Sequence, residues 1–181
     1  MSKESPRATP PADRVSGTFP GEGAAGLRLR ARLTGAKVGS YRLGARLGVS
    51  EVACVYLARL SGQQEPERLV AVEVVHEHLA EQPGFVLRFL DAARLAARLV
   101  HPNVVLVHES GRDGDVLFLA MEDLQGQPLS QLYRALAARG CTLPPDVLAH
   151  VGARAAEGLH HAHGLADERG VCLRLVHGGV S

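Results

Sequence analysis

Leu69-Val70-Ala71-Val72-Glu73-Val74-Val75 is the stretch on which the fold turns. Valine favours pleated backbone, and a short unbroken apolar run reads as a strand buried on both faces. One carboxylate stands in its middle. A charge withdrawn from water is costly without a partner or a site that uses it. Glu73 is therefore the first position to which chemistry attaches.

Outward from this strand the chain alternates regularly. Tyr41 to Leu47 and Ala53 to Arg59 read as two strands around a turn at Gly48-Val49-Ser50-Glu51. A polar loop containing Ser61, Gly62 and Pro66 leads into Leu69. Phe85, Phe89, Ala92, Ala96 and Leu99 then recur at helical spacing, and His101-Pro102-Asn103 stops that helix. Val104 to His108 and Val116 to Met121 form two more strands, with a turn at Gly111-Arg112-Asp113-Gly114. Two helices follow, Leu129 to Arg139 and Pro145 to about His163, the second with an apolar stripe from Val147 to Ala162. A short apolar piece, Val171 to Val176, comes last. Three strands, a helix, two strands and then helices make an α+β fold.

Residues 1–39 differ in character. Met1 to Gly26 is rich in Pro, Gly, Ser and Ala, with too few large apolar residues to offset the entropy of ordering. A disordered tail is expected over 1–39. Within it Leu27 to Leu33 alternates apolar and basic residues at strand period, which is open to an edge strand or a membrane-surface or nucleic-acid contact. The cluster is short and lacks aromatic groups that would stack on bases, so a solvated linker is the favoured reading.

Composition narrows the function. A net charge of +1 over 181 residues supplies no concentrated basic face, so nucleic acid is not expected as a partner. No apolar run reaches membrane-spanning length and the N-terminus lacks the apolar core of a signal peptide, so the expected address is cytoplasmic, without membrane attachment. Cys54, Cys141 and Cys172 are widely spaced and odd in number, as reduced thiols would be; Cys54 and Cys172 are expected in the core. His160, His161 and His163 come without a complementary carboxylate or cysteine set, and no metal site is assigned. The only lysines are Lys3 and Lys37, so the folded region from residue 38 onward has none.

The element order and several local motifs resemble bacterial serine/threonine protein kinases of the eukaryotic type. Val70-Ala71-Val72-Glu73 resembles the Val-Ala-Ile-Lys strand of that family. Tyr41-Arg42-Leu43, Val55-Tyr56-Leu57-Ala58 and His101-Pro102-Asn103-Val104-Val105 resemble the flanking segments of the small lobe. Leu119-Ala120-Met121-Glu122-Asp123-Leu124 is similar to the hinge strand, Gly158-Leu159-His160-His161-Ala162-His163 to the end of the E helix, and Leu175-Val176-His177 to the entry of the catalytic loop. The resemblance implies a small lobe and hinge over 40–125, with a five-stranded antiparallel sheet and a C helix. It implies the first helices of a large lobe over 126–181.

Set against the family's chemistry, the matching positions are altered. Of the Gly-x-Gly-x-x-Gly loop, which lets backbone approach phosphates, only Gly48 remains; Ser50 and Ala53 hold the other two places. Glu73 stands where the phosphate-binding lysine is implied, Ala92 where its glutamate partner is, and Gly179 where the catalytic aspartate of His-Arg-Asp is, in His177-Gly178-Gly179. The sequence ends at Ser181, before the Asp-Phe-Gly segment of the family. A carboxylate about 4 Å from a phosphate charge is repelled by roughly 4 kcal/mol at an effective dielectric near 20, where lysine would attract by as much. Arg46, Arg59 and Arg88 are the candidate cations to substitute, and Arg88, one turn before Ala92, is the expected partner of Glu73.

No catalytic residue is therefore assigned. The implied vestige of an adenine pocket is Gly48, Val55, Ala71, Met121, Glu122 and Leu124, able to hold ATP weakly and without metal. The expected role is a non-catalytic, pseudokinase-like module that contacts another protein, through the exposed face of the E helix or through the small lobe. Two alternatives stand beside it: an ATP-dependent serine/threonine kinase with a rescued or complemented site, and a gene fragment without function.

Overall fold

The computed structural model describes Leu33 and residues 35–62 and 69–176. Its centre is a six-stranded sheet in the order β1-β2-β3-β4-β6-β5, antiparallel at every pairing. The strands are β1 (Lys37–Val38), β2 (Tyr41–Val49), β3 (Ala53–Leu60), β4 (Leu69–Val75), β5 (Val107–Asp113) and β6 (Val116–Glu122). The helices are α1 (Glu77–Ala80), α2 (Pro83–Ala96), α3 (Leu129–Ala137) and α4 (Pro145–His163). Antiparallel strands joined by short turns, followed by helices, give the α+β arrangement and the element order that the resemblance implies for a small lobe.

The sheet has one strand more than the five expected. Lys37–Val38 pairs with Arg42 and Tyr41, and Val38 is only 2% exposed. The core thus reaches back into the segment expected as a tail; two residues are too few to show any periodicity in sequence. Residues 1–32 and 34, including nearly all of the Leu27 to Leu33 alternation, lie outside the described residues.

Two hairpins rest on glycine in the same way. Gly39 (φ +55°) and Gly114 (φ +58°) each take the first place of a two-residue turn, a left-handed conformation that suits the right-handed twist of the flanking strands. Gly39 is constrained twice: a Cβ there would stand 2.8 Å from the Phe118 ring. Its N–H also donates to Asp113 Oδ2 at 2.7 Å, tying the first hairpin to the last. The turn expected at Gly111 to Gly114 is shifted. Gly111 pairs within the ladder with Phe118, and the reversal falls at Gly114-Asp115.

Period-two alternation splits β4 between two cores. Val70, Val72 and Val74 join Tyr41, Leu43, Tyr56, Phe118 and Ala120 on one face. On the other, Val75 meets Leu117 and Ala80, covered by Phe85, Val86, Phe89 and Leu90. Pro83 opens α2 at its first turn, where no intrahelical N–H is lost. The buried residue further along that helix is Ala93 rather than Ala92, because the inward stripe follows Phe85, Phe89 and Ala93 at four-residue steps.

Helix α4 meets the rest of the molecule edge-on. Gly158 is its buried residue, and a Cβ there would come within 2.9 Å of the Asn103 carbonyl oxygen. Asn103 Nδ2 donates to Glu157 Oε2 at 3.1 Å, and His101 stacks on His161 with centroids 5.0 Å apart. Arg98 reaches past the helix end to the Ala166 carbonyl. Val147, Leu148 and Val151 are exposed, as are Leu129, Leu132 and Tyr133 of α3. Val171 to Val176 forms no strand; an isolated bridge links Ala166 and Cys172.

Candidate functional site: a sheet face with a carboxylate

Directly opposed residues of antiparallel strands present side chains to one face, so the register defines the site. One row crosses the sheet as Gly48, Val55, Glu73 and Leu119; the neighbouring row on that face is Leu57, Ala71 and Met121. The structure therefore gathers Gly48, Val55, Ala71 and Met121 around Glu73. Val55, Leu57, Leu119 and Met121 are half-buried, and a Cβ on Gly48 would meet open space. The result is an apolar floor with a carboxylate set into it.

Burial raises the Glu73 pKa above the ordinary carboxylate value. Among the described residues it makes no hydrogen bond or ion pair. The expected pairing with Arg88 does not form. Arg88 lies on the exposed side of α2, with its guanidinium beside Gly84, because the four-residue step that buries Phe85 and Phe89 turns position 88 outward. Ala92 is likewise exposed, outside the contact of α2 with β4 and β6. The adjacent Asp91 does not substitute for it; its carboxylate pairs with Arg94 at 3.1 Å on the surface.

The turn between β2 and β3 is closed on itself. Ser50 Oγ accepts the N–H groups of Ala53 at 3.1 Å and Val52 at 3.3 Å, while the Ser50 N–H donates to the Ala53 carbonyl at 2.8 Å. Serine supplies the acceptor that a glycine lacks. His76 fastens the turn to the end of β4: its N–H donates to the Val52 carbonyl, and Nε2 lies 3.0 Å from the Ser50 carbonyl.

Past β6, Glu122 does not line the pocket with its side chain. It opposes Val70 on the other face, and its carboxylate accepts the Leu106 N–H at 2.8 Å. Leu124 is exposed, and its N–H has no partner among the described residues. Gly179, with His177, lies outside the described residues. Of the cysteines, Cys54 is buried as expected, but Cys172 is exposed, its thiol 3.1 Å from the His163 carbonyl, because the final segment does not enter the core. Among the described residues no group of three His, Cys, Asp or Glu side chains converges, and no helix is long and apolar enough to cross a membrane. The signal missed in sequence is Ser50 acting with His76, twenty-six residues apart; only the β2–β3 turn geometry brings them together.

No family model matches the sequence. Individual proteins do. The chain is 37% identical over 143 residues to the tyrosine-protein kinase MasK of Myxococcus xanthus, covering 79% of this chain and 22% of that protein. It is 33% identical over 127 residues to the serine/threonine-protein kinase PknB of Mycobacterium leprae, covering 68% and 19%. Among solved structures, the PknI kinase domain of Mycobacterium tuberculosis superposes with a TM-score of 0.60 at 28% identity, over 72% of this chain and 50% of that one. The chain thus spans about a fifth of the length of these two curated relatives and half of the solved kinase domain.

Proposed function

We propose that this chain, a homologue of bacterial serine/threonine and tyrosine protein kinases with the fold of a kinase small lobe, serves as a non-catalytic interaction module. The observation that carries the proposal is Glu73. Its carboxylate occupies the cleft face in the strand where the resemblance implies a lysine, and no cation stands near enough to pair with it among the described residues. A triphosphate meets repulsion there, and the Val52 and Ala53 N–H groups of the β2–β3 turn are already bonded to Ser50 Oγ. The residues of this face do not fit ATP with its metal, and no phosphoryl-transfer step is derived through them.

Interaction is supported by the helices. Val147, Leu148 and Val151 on α4, with Leu129, Leu132 and Tyr133 on α3, present apolar side chains to solvent, in contrast to the closed cores of the sheet. Exposed apolar side chains clustered at successive turns of a helix, as Val147, Leu148 and Val151 are, are characteristic of protein-binding faces. The proposed partner is another protein, and the proposed address is cytoplasmic.

Thermal denaturation with ATP, with and without magnesium, tests the proposal together with a phosphotransfer assay on a generic protein substrate. The expected result is no metal-dependent stabilisation and no transfer. A magnesium-dependent rise of several degrees with measurable transfer overturns it.

A further inference from the structure

The polarity of the cleft face is specific enough to name a ligand class. Resting on the proposal that this face no longer takes a triphosphate, we infer that it takes a flat heteroaromatic ring bearing a protonated amine, with Glu73 as the counter-ion. Val55, Ala71 and Met121 supply the apolar floor for the ring, in rows adjoining Glu73 across β3, β4 and β6. Just beyond β6, Leu124 is exposed and its N–H has no partner among the described residues, which leaves a donor for a ring nitrogen. Open space above Gly48 leaves room for an arm over the β2 end of the row.

Charge selects the arm. Glu73 is partly withdrawn from water and unpaired among the described residues, so an ammonium group placed beside it recovers electrostatic energy that solvent supplies poorly there. The Val52 and Ala53 N–H groups are held by Ser50 Oγ and are not offered to an anion. An amine is attracted where a phosphate is repelled.

The test compares 9-(3-aminopropyl)adenine with 9-propyladenine and with ATP, by calorimetric titration of the full 181-residue chain at low ionic strength. The amine is expected to bind about tenfold tighter than its neutral counterpart, the size of one partly screened ion pair. That margin disappears in Glu73→Gln, and it shrinks in the native chain as salt is raised. Equal affinity of the amine and its neutral counterpart overturns the inference, as does a margin that survives Glu73→Gln or is indifferent to salt. Absence of binding by either adenine also overturns it. Melting curves confirm that Glu73→Gln is folded, and the salt series on the native chain decides the matter without that variant. Phosphoryl transfer from ATP in the same preparation would overturn the proposed function, while the amine comparison is read independently.

Discussion

The Ser50 hydroxyl oxygen accepts the Ala53 N–H at 3.1 Å, so the turn between β2 and β3 is satisfied from within. Replacing Ser50 by glycine removes that acceptor and costs roughly 0.5–1.5 kcal/mol in stability, the range of one hydrogen bond. With Glu73 in place, nucleotide affinity stays unchanged. Combined with Glu73→Lys, the freed N–H groups and the reversed charge act on the same phosphates, and ATP affinity rises by more than the sum of the single effects. Titration of the four combinations with ATP measures the coupling.

Glu73 also sets a pH dependence. Its folded pKa is raised by burial, so the native state holds its proton more tightly than the unfolded chain does. Stability is therefore favoured below the ordinary carboxylate pKa and declines as pH rises through the raised value. Glu73→Gln removes this decline. The variant should melt higher than the native chain at pH 7, with the gap narrowing toward pH 4, as followed by circular dichroism.

At alkaline pH the relevant group is Tyr41, whose pKa is pushed up to about 12 by burial, with the Glu109 carboxylate adding a hydrogen bond and a repulsive charge against ionisation. Stability from this tyrosine is present below pH 10 and lost between there and about 12. Absorbance at alkaline pH should show Tyr41 ionising late, and Tyr41→Phe should remove one tyrosine from the late absorbance change.

Gly39→Ala meets two obstacles at once, a positive φ and the Phe118 ring at 2.8 Å from the new methyl group. The expected loss is about 2–4 kcal/mol, read from denaturant unfolding. Gly114→Ala, which has the same sign of φ but open space, should lose only about 1 kcal/mol.

Leu148 of α4 is 48% exposed and takes part in neither core. Leu148→Gln should leave the melting transition of the sheet within about 0.5 kcal/mol while reducing association with a protein partner or with itself. Sedimentation measures the second effect separately from the first.

What could be read in sequence was whatever repeats locally. The bounds of β4 and α4 coincide with the runs Leu69 to Val75 and Pro145 to His163, since strand alternation and a Pro-initiated helix leave clear signatures. Val55, Ala71 and Met121 share one face of the sheet because register follows from that alternation. Long-range and single-residue features were not legible. Strand β5 begins at Val107 rather than Val104, because the Val104 N–H is spent on the His101 carbonyl in the preceding turn. Gly111 resembles a turn residue yet belongs to a strand, where it pairs with Phe118. Helical spacing alone puts Arg88 within reach of Glu73, whereas the rotation of α2 is set by the packing of Phe85 and Phe89 against Val75 and Leu117.

The joint between Gly158 and Asn103 has a consequence for how the molecule holds together. It is made of a glycine against a carbonyl, an amide on a carboxylate and two stacked imidazoles, and no residue of α3 or α4 enters either core of the sheet. The sheet with α1 and α2 is thus a self-sufficient body, and α4 is fastened to it by a seam of polar and backbone contacts. Swinging the helix away would expose little new apolar surface. Its position is therefore governed by whatever next comes to lie against Leu148 and Val151, and the sheet's stability is insulated from that choice.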